Sequence, residues 1–219
     1  MNIAWYKEQA TAIIEDCHRR KVIPILVGGS MLYISAIVDG LDPLPPVDPE
    51  VRERLEKEWD KDDGWMLYDK LVSIDPATAK SFEHQNKRYV VRALELYEKT
   101  GIPPSQLKKT IPPPYQILQF GMQWPRELLT ERIDRRTKQL LENGWIREVE
   151  GLLDRGFTSR DPGMKSHGYA EIMQWLQYEE QDKDALVEKI SIRTRQYAKR
   201  QMTWWSDDDR IHWINAQQL

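Results

Sequence analysis

The chain has 219 residues, 40% of them hydrophobic and 31% charged, with a formal net charge of −3. That length holds one domain of ordinary size plus a smaller one, and the near-neutral balance excludes a surface coated for nucleic acid while leaving room for a local basic groove. A single cysteine, Cys17, excludes an internal disulfide, and four histidines without a C-x-x-C argue against a zinc site.

The N-terminal stretch places Ile3, Ala10, Ile13, Ile14 and Cys17 on one face, predicting a surface helix. Its acids and late basic cluster do not suit a signal peptide. No apolar run approaches the roughly 20 residues of a membrane helix, so a soluble, cytoplasmic product is expected. "VIPILVGG" then reads as a strand buried on both faces, and "MLYISAIVDG" as a helix stopped by Gly40. The next ten residues, "LDPLPPVDPE", hold four prolines and predict a stiff linker.

Asp48-Pro49 has the form of an N-cap followed by a first-turn proline, and Asp75-Pro76 repeats it. Asn86 is placed to cap a third helix, "KRYVVRALELYEKT", that Gly101 ends. A second proline cluster, Ile111 to Tyr115, closes this helical block. The expected organisation is an inserted helical domain, residues 42–115, between the two halves of one α/β core, residues 1–41 and 116–219. "QILQFGMQW" predicts a strand, and four amphipathic helices follow it. Two strands do not make a stable parallel sheet, so the sheet is expected to be incomplete.

At the strand–helix turn, Gly28 and Gly29 allow close backbone approach to a ligand. Ser30 sits either as a polar contact to a substrate or as a plain helix cap. Arg88 with Arg92, and Arg132 with Arg136, are spaced i, i+4, and Lys189, Arg193 and Arg200 share one helix face. Each set is either a solvated face or an anion groove. Aromatics accompany the cations: Tyr89 beside Arg88, Tyr169 after His167-Gly168, and Trp204-Trp205 after Lys199-Arg200. RNA recognition stacks unpaired bases on such groups beside a basic track. Trp59, Trp145 and Trp175 are expected to be packing, and no carboxylate stands out as a general base.

"PILVGGSMLYISAIVDGLDPLP..DPEVR", "NKRYVVRALELYEKTG" and "TRQYAKRQMTWW", in this order, resemble the tRNA dimethylallyltransferases, or tRNA isopentenyltransferases. The resemblance runs from about Trp5 to Trp213. It implies a P-loop kinase-like α/β core with an inserted all-helical, tRNA-binding domain and a helical C-terminal part. It also implies nucleotide (ATP) binding and Mg²⁺. The implied reaction transfers a dimethylallyl group from dimethylallyl diphosphate to the exocyclic amine of the adenosine 3′ of the anticodon. Ser30 falls where the family's Gly-Gly-Thr threonine contacts the target nucleotide. Arg132 and Arg136 match an R-I-x-x-R that holds the diphosphate. Positions that touch tRNA are matched by Arg52, by Arg88, Tyr89 and Arg92, by Lys165, His167, Gly168 and Tyr169, and by Lys199, Arg200, Gln201 and Trp204. Family members begin with a G-x-T-x-x-G-K-[ST] phosphate loop and an Asp-Ser-x-Gln segment bearing the base, and neither motif occurs in these residues. The expectation is a monomeric, N-terminally truncated chain with little activity alone. A non-catalytic module that grips the anticodon stem-loop is the alternative.

Overall fold

The computed structural model describes residues 2–42, 44–107, 112–178 and 182–218. The Ile111 end of the second proline cluster and Pro43 of the first lie outside them. The chain divides into two compact units, Met1–Gln116 and Ile117–Leu219.

The first unit opens with α1 (Ile3–Arg19), capped by Asn2, whose side chain accepts from the Trp5 amide. α2 (Met31–Val38) stops as expected, with Gly40 just beyond it at φ 94°. Tyr6 and Tyr33 stack at 4.4 Å to hold the two helices together. The segment between them corrects the sequence expectation. Residues 22–30 form no strand, and Ile23, Ile25 and Val27 are 85%, 83% and 89% exposed. An apolar run becomes a strand only when a neighbour accepts its backbone ladder, and no strand of this unit's described residues does so.

α3 (Pro49–Trp59), α4 (Trp65–Ile74), α5 (Pro76–Ala79), α6 (Lys87–Thr100) and α7 (Pro104–Leu107) follow. Asp48 caps α3, accepting from the amides of Glu50 and Val51, and Gly101 ends α6 at φ 70°. Asn86 occupies the cap position of α6, but its side chain makes no capping bond. The core is an aliphatic cluster of Leu55, Leu67, Leu71, Val90 and Leu94, with Trp59 as its largest side chain.

Asp75 is the best-bonded cap. Its carboxylate is 2% exposed and accepts from the amide and hydroxyl of Thr78 and from the amide of Ser105, which ties α7 to α5. Burial alone would push this acid up. The hydrogen bonds from Ser105 and Thr78 outweigh it and hold the pKa at about 2, against an ordinary 3.8. The stabilisation is therefore complete above the unfolded value and drains away as pH falls toward the folded one, worth roughly 2 kcal/mol at neutral pH. Acid titration followed by circular dichroism is expected to show that loss in the native chain. Asp75→Asn is expected to be less stable at neutral pH and to have a flatter acid limb.

The second unit contains β1 (Gln119–Gln123), α8 (Arg126–Glu142), α9 (Trp145–Asp154), α10 (Tyr169–Trp175), α11 (Lys183–Trp205) and β2 (Ile211–Asn215). β1 and β2 pair in parallel, Gly121 opposite Trp213, as a two-stranded sheet. Phe120 and Met122 of β1, and Leu118 just before it, are more than half exposed, whereas Ile211 and Ile214 of β2 are half-buried. The core lies among α9, α10 and α11, around Val149, Ile172, Leu186 and Ile190, with Trp145 and Trp175 packed on its rim as expected. α8 packs along α11, where Arg195 donates to both Asp134 and Glu188.

Candidate functional site

In the first unit, Ser30 occupies the cap position of α2 with φ −72° and ψ 105°, yet its hydroxyl makes no capping bond to the helix. That weighs against the plain-cap alternative and leaves the hydroxyl available at the half-buried end of the Gly28–Gly29 turn. On α6, Arg88 and Tyr89 are both exposed, Tyr89 lying beside Phe82 with ring centroids 5.5 Å apart.

Arg92 and Arg52 are committed differently. Both reach Glu95, a carboxylate that is fully buried. One oxygen of Glu95 accepts from Arg92 Nη1 at 2.8 Å and from the Asp48 amide at 2.7 Å. The other accepts from Arg52 Nη2 at 2.9 Å. Arg92 also donates to the Pro45 carbonyl at 2.6 Å. Of the expected pair on α6, one arginine thus faces outward and the other anchors the proline linker to the helix. Two positive charges and a backbone amide converge on one buried acid, which satisfies a group that would otherwise be prohibitive to bury.

In the second unit, Arg132 lies over the Trp124 ring, its guanidinium carbon 4.2 Å from the centroid. A cation held on an aromatic face keeps its in-plane N–H groups free for an anion. Arg136, one turn on, is exposed and makes no ion pair with another described residue. This i, i+4 pair remains available for a phosphate.

The Lys165–Tyr169 stretch is fixed by its glycine. Gly168 has φ 91°, and a Cβ there would come within 2.0 Å of the Trp145 ring. Only glycine suits both the backbone and the contact. Its amide donates to Glu171 Oε2 at 2.6 Å, while Glu171 Oε1 pairs with Arg193 Nε of α11 at 2.9 Å. Glu171 is 1% exposed. Tyr169 donates its hydroxyl to Glu148 at 2.7 Å, and that bond, with burial, raises the phenol's pKa. Lys165 and His167 stand exposed at the start of this stretch. The expected cationic face of α11 is split: Lys189 donates to Gln174 at 2.8 Å and Arg193 meets Glu171, so both clasp α10. Lys199 and Arg200 stay exposed, and Trp204 is 49% exposed. Gln201 lies half-buried on the same final turns.

Residues 1–208 match the IPP transferase family. The chain belongs to that family. It is 39% identical over 217 residues to the tRNA dimethylallyltransferase of Corynebacterium diphtheriae, covering 98% of this chain and 71% of that one. The enzyme of the same name from Pelotomaculum thermopropionicum is 38% identical, with 99% and 69% covered. Among solved structures, the full-length tRNA isopentenylpyrophosphate transferase of Bacillus halodurans superposes with a TM-score of 0.64 at 31% identity, covering 98% of this chain and 67% of that one. A eukaryotic dimethylallyltransferase captured acting on tRNA gives a TM-score of 0.77 at 26% identity, with 99% and 57% covered.

Sequence reasoning missed three residues that organise this family member's surface. Glu95 and Glu171 were indistinguishable from the many acids that balance helix faces, because burial is not written in spacing. Tyr197, within "TRQYAKRQMTWW", touches both His167 and Arg200. Its place among Arg195, Lys199 and Arg200 in the sequence was the available signal.

Proposed function

We propose that the chain acts in tRNA modification, transferring a dimethylallyl group from dimethylallyl diphosphate to the exocyclic amine of the adenosine 3′ of the anticodon. The observation that carries this is the match of nearly the whole chain to tRNA dimethylallyltransferases. The site residues divide by task. Arg132, steadied on Trp124, and Arg136 receive the diphosphate, whose negative charge grows as its C–O bond to the dimethylallyl carbon breaks. The adenosine amine supplies the electron pair for the new C–N bond and releases one proton to solvent. The Ser30 hydroxyl, unused by its helix, contacts the acceptor base. Arg88, Tyr89, Lys165, His167, Tyr169, Lys199, Arg200, Gln201 and Trp204 grip the tRNA, while Gly168 shapes the stretch that carries His167. Arg52 and Arg92 serve it by holding the linker to α6 through Glu95.

The helical block of residues 42–115 is, on this proposal, an insertion into a P-loop kinase-like core made of 1–41 and 116–219. Among the described residues no three of His, Cys, Asp and Glu gather as a metal cage. They offer no all-protein cage for Mg²⁺, which would be held by one or two carboxylates together with substrate phosphates, and no step is assigned to it. Nor do these 219 residues contain a G-x-x-x-x-G-K-[ST] loop to cradle a diphosphate.

The test is mass spectrometry of the digested anticodon loop after incubation with dimethylallyl diphosphate, Mg²⁺ and unmodified tRNA. We expect the 219 residues to bind tRNA without product. The same residues joined behind the phosphate-loop segment that family members carry are expected to add one dimethylallyl group. Product from the 219 residues alone would sink the assigned division of labour. Binding with product from neither protein would favour the non-catalytic anticodon-loop module.

A further inference from the structure

Two stretches far apart in sequence, Lys165–Tyr169 and Lys199–Trp204, meet on one aromatic ring. The His167 imidazole lies 5.4 Å from the Tyr197 ring, centroid to centroid, tilted by 56°. The Arg200 guanidinium carbon lies 5.6 Å from the same centroid. His167 and Arg200 are exposed, whereas Tyr197 is half-buried on α11. The short helical turn Gly163–Lys165 adds the exposed Lys165, and α11 adds the exposed Lys199.

This placement is not incidental to the packing. His167 immediately precedes Gly168, whose amide is pinned by Glu171, which in turn is pinned by Arg193 one turn before Tyr197 on α11. Glu171, buried between the Gly168 amide and the half-exposed Arg193, links the 165–169 stretch to α11, and Tyr197 is the side chain that then contacts what the stretch presents. A tyrosine ring offers a negative face to a cation and stiffens it. An arginine so held keeps its outward N–H groups for a phosphate and loses less rotamer freedom on binding.

We propose that Tyr197 is a positioning residue for RNA binding. It orders Arg200 and His167 as one clamp on a backbone phosphate of the bound anticodon loop. The inference rests on the tRNA reading above. Arg200 makes the phosphate contact and Tyr197 acts through it.

The test is binding of the 219-residue chain to an anticodon stem-loop RNA, measured across a salt series. Tyr197→Phe keeps the ring and is expected to bind like the native chain. Tyr197→Leu and Arg200→Ala are each expected to weaken binding by about three- to fivefold and to lower the salt slope by about one. The double variant is expected to bind no worse than either single, because both changes remove the same contact. Tyr197→Met, which keeps bulk without a ring, carries the test if Tyr197→Leu melts early. Losses that add, or a Tyr197→Leu protein with the native salt slope, would overturn the clamp and make Tyr197 packing alone. A native chain that fails to bind the stem-loop would overturn the tRNA reading itself, and the clamp with it.

Discussion

Glu95→Ala is expected to destabilise the first unit by about 3 kcal/mol, read as a lowered urea midpoint for the loss of its helical signal. The carboxylate is fully buried and is the common acceptor for Arg52, Arg92 and the Asp48 amide. Removing it leaves two arginines facing each other across the space it filled, with the Asp48 amide unpaired. The figure is set at the low end for a broken buried pair, because the two arginine side chains are 33% and 26% exposed and water screens part of the repulsion. The linker should loosen with it, since Arg92 also holds the Pro45 carbonyl. Proteolysis is expected to cut the variant within residues 44–48 while sparing the native chain. A variant with an unchanged midpoint would show that the arginines are satisfied by solvent and that Glu95 holds nothing.

The second large effect is expected at Glu171, where the consequence is functional as well as structural. Glu171→Ala removes the acceptor of the buried Gly168 amide and the partner of Arg193 together. An amide left buried and unpaired costs on the order of 1–3 kcal/mol, and loss of the ion pair adds little because Arg193 is half exposed. The 165–169 stretch then loses its register on α11, and stem-loop binding is expected to fall about tenfold, more than for any single surface lysine. Glu171→Gln keeps an oxygen for the Gly168 amide and forfeits only the charge. It is expected to retain most stability and most binding. If Gln and Ala behave alike, the ion pair to Arg193 carries the effect instead of the amide bond.

These two positions show why parts of the site were legible in the sequence and others were not. The caps at Asp48 and Asp75 and the stop at Gly101 were readable because each depends on residues within one helical turn. Asn86 shows the limit of that logic: the cap position was right and the capping bond is absent. The cationic faces were harder. Spacing placed Lys189, Arg193 and Arg200 together, and all three are exposed, but of them only Arg200 lies against an aromatic ring, because the other two bond Gln174 and Glu171 on α10.

The sequence by itself determined most of the helices, the caps at Asp48 and Asp75, the stop at Gly101, the β1 strand and the family, since periodicity, caps and ordered motifs are local or collinear properties. Tertiary structure alone decided which acids are buried, which arginines are spent on them, and that β2 pairs in parallel with β1 across most of the second unit. It also decided that the apolar run at residues 22–27 lies open. The physical reason is common to all four. A strand needs a neighbour for its ladder and a buried charge needs a partner, and neither partner is specified by the residues adjacent in the chain.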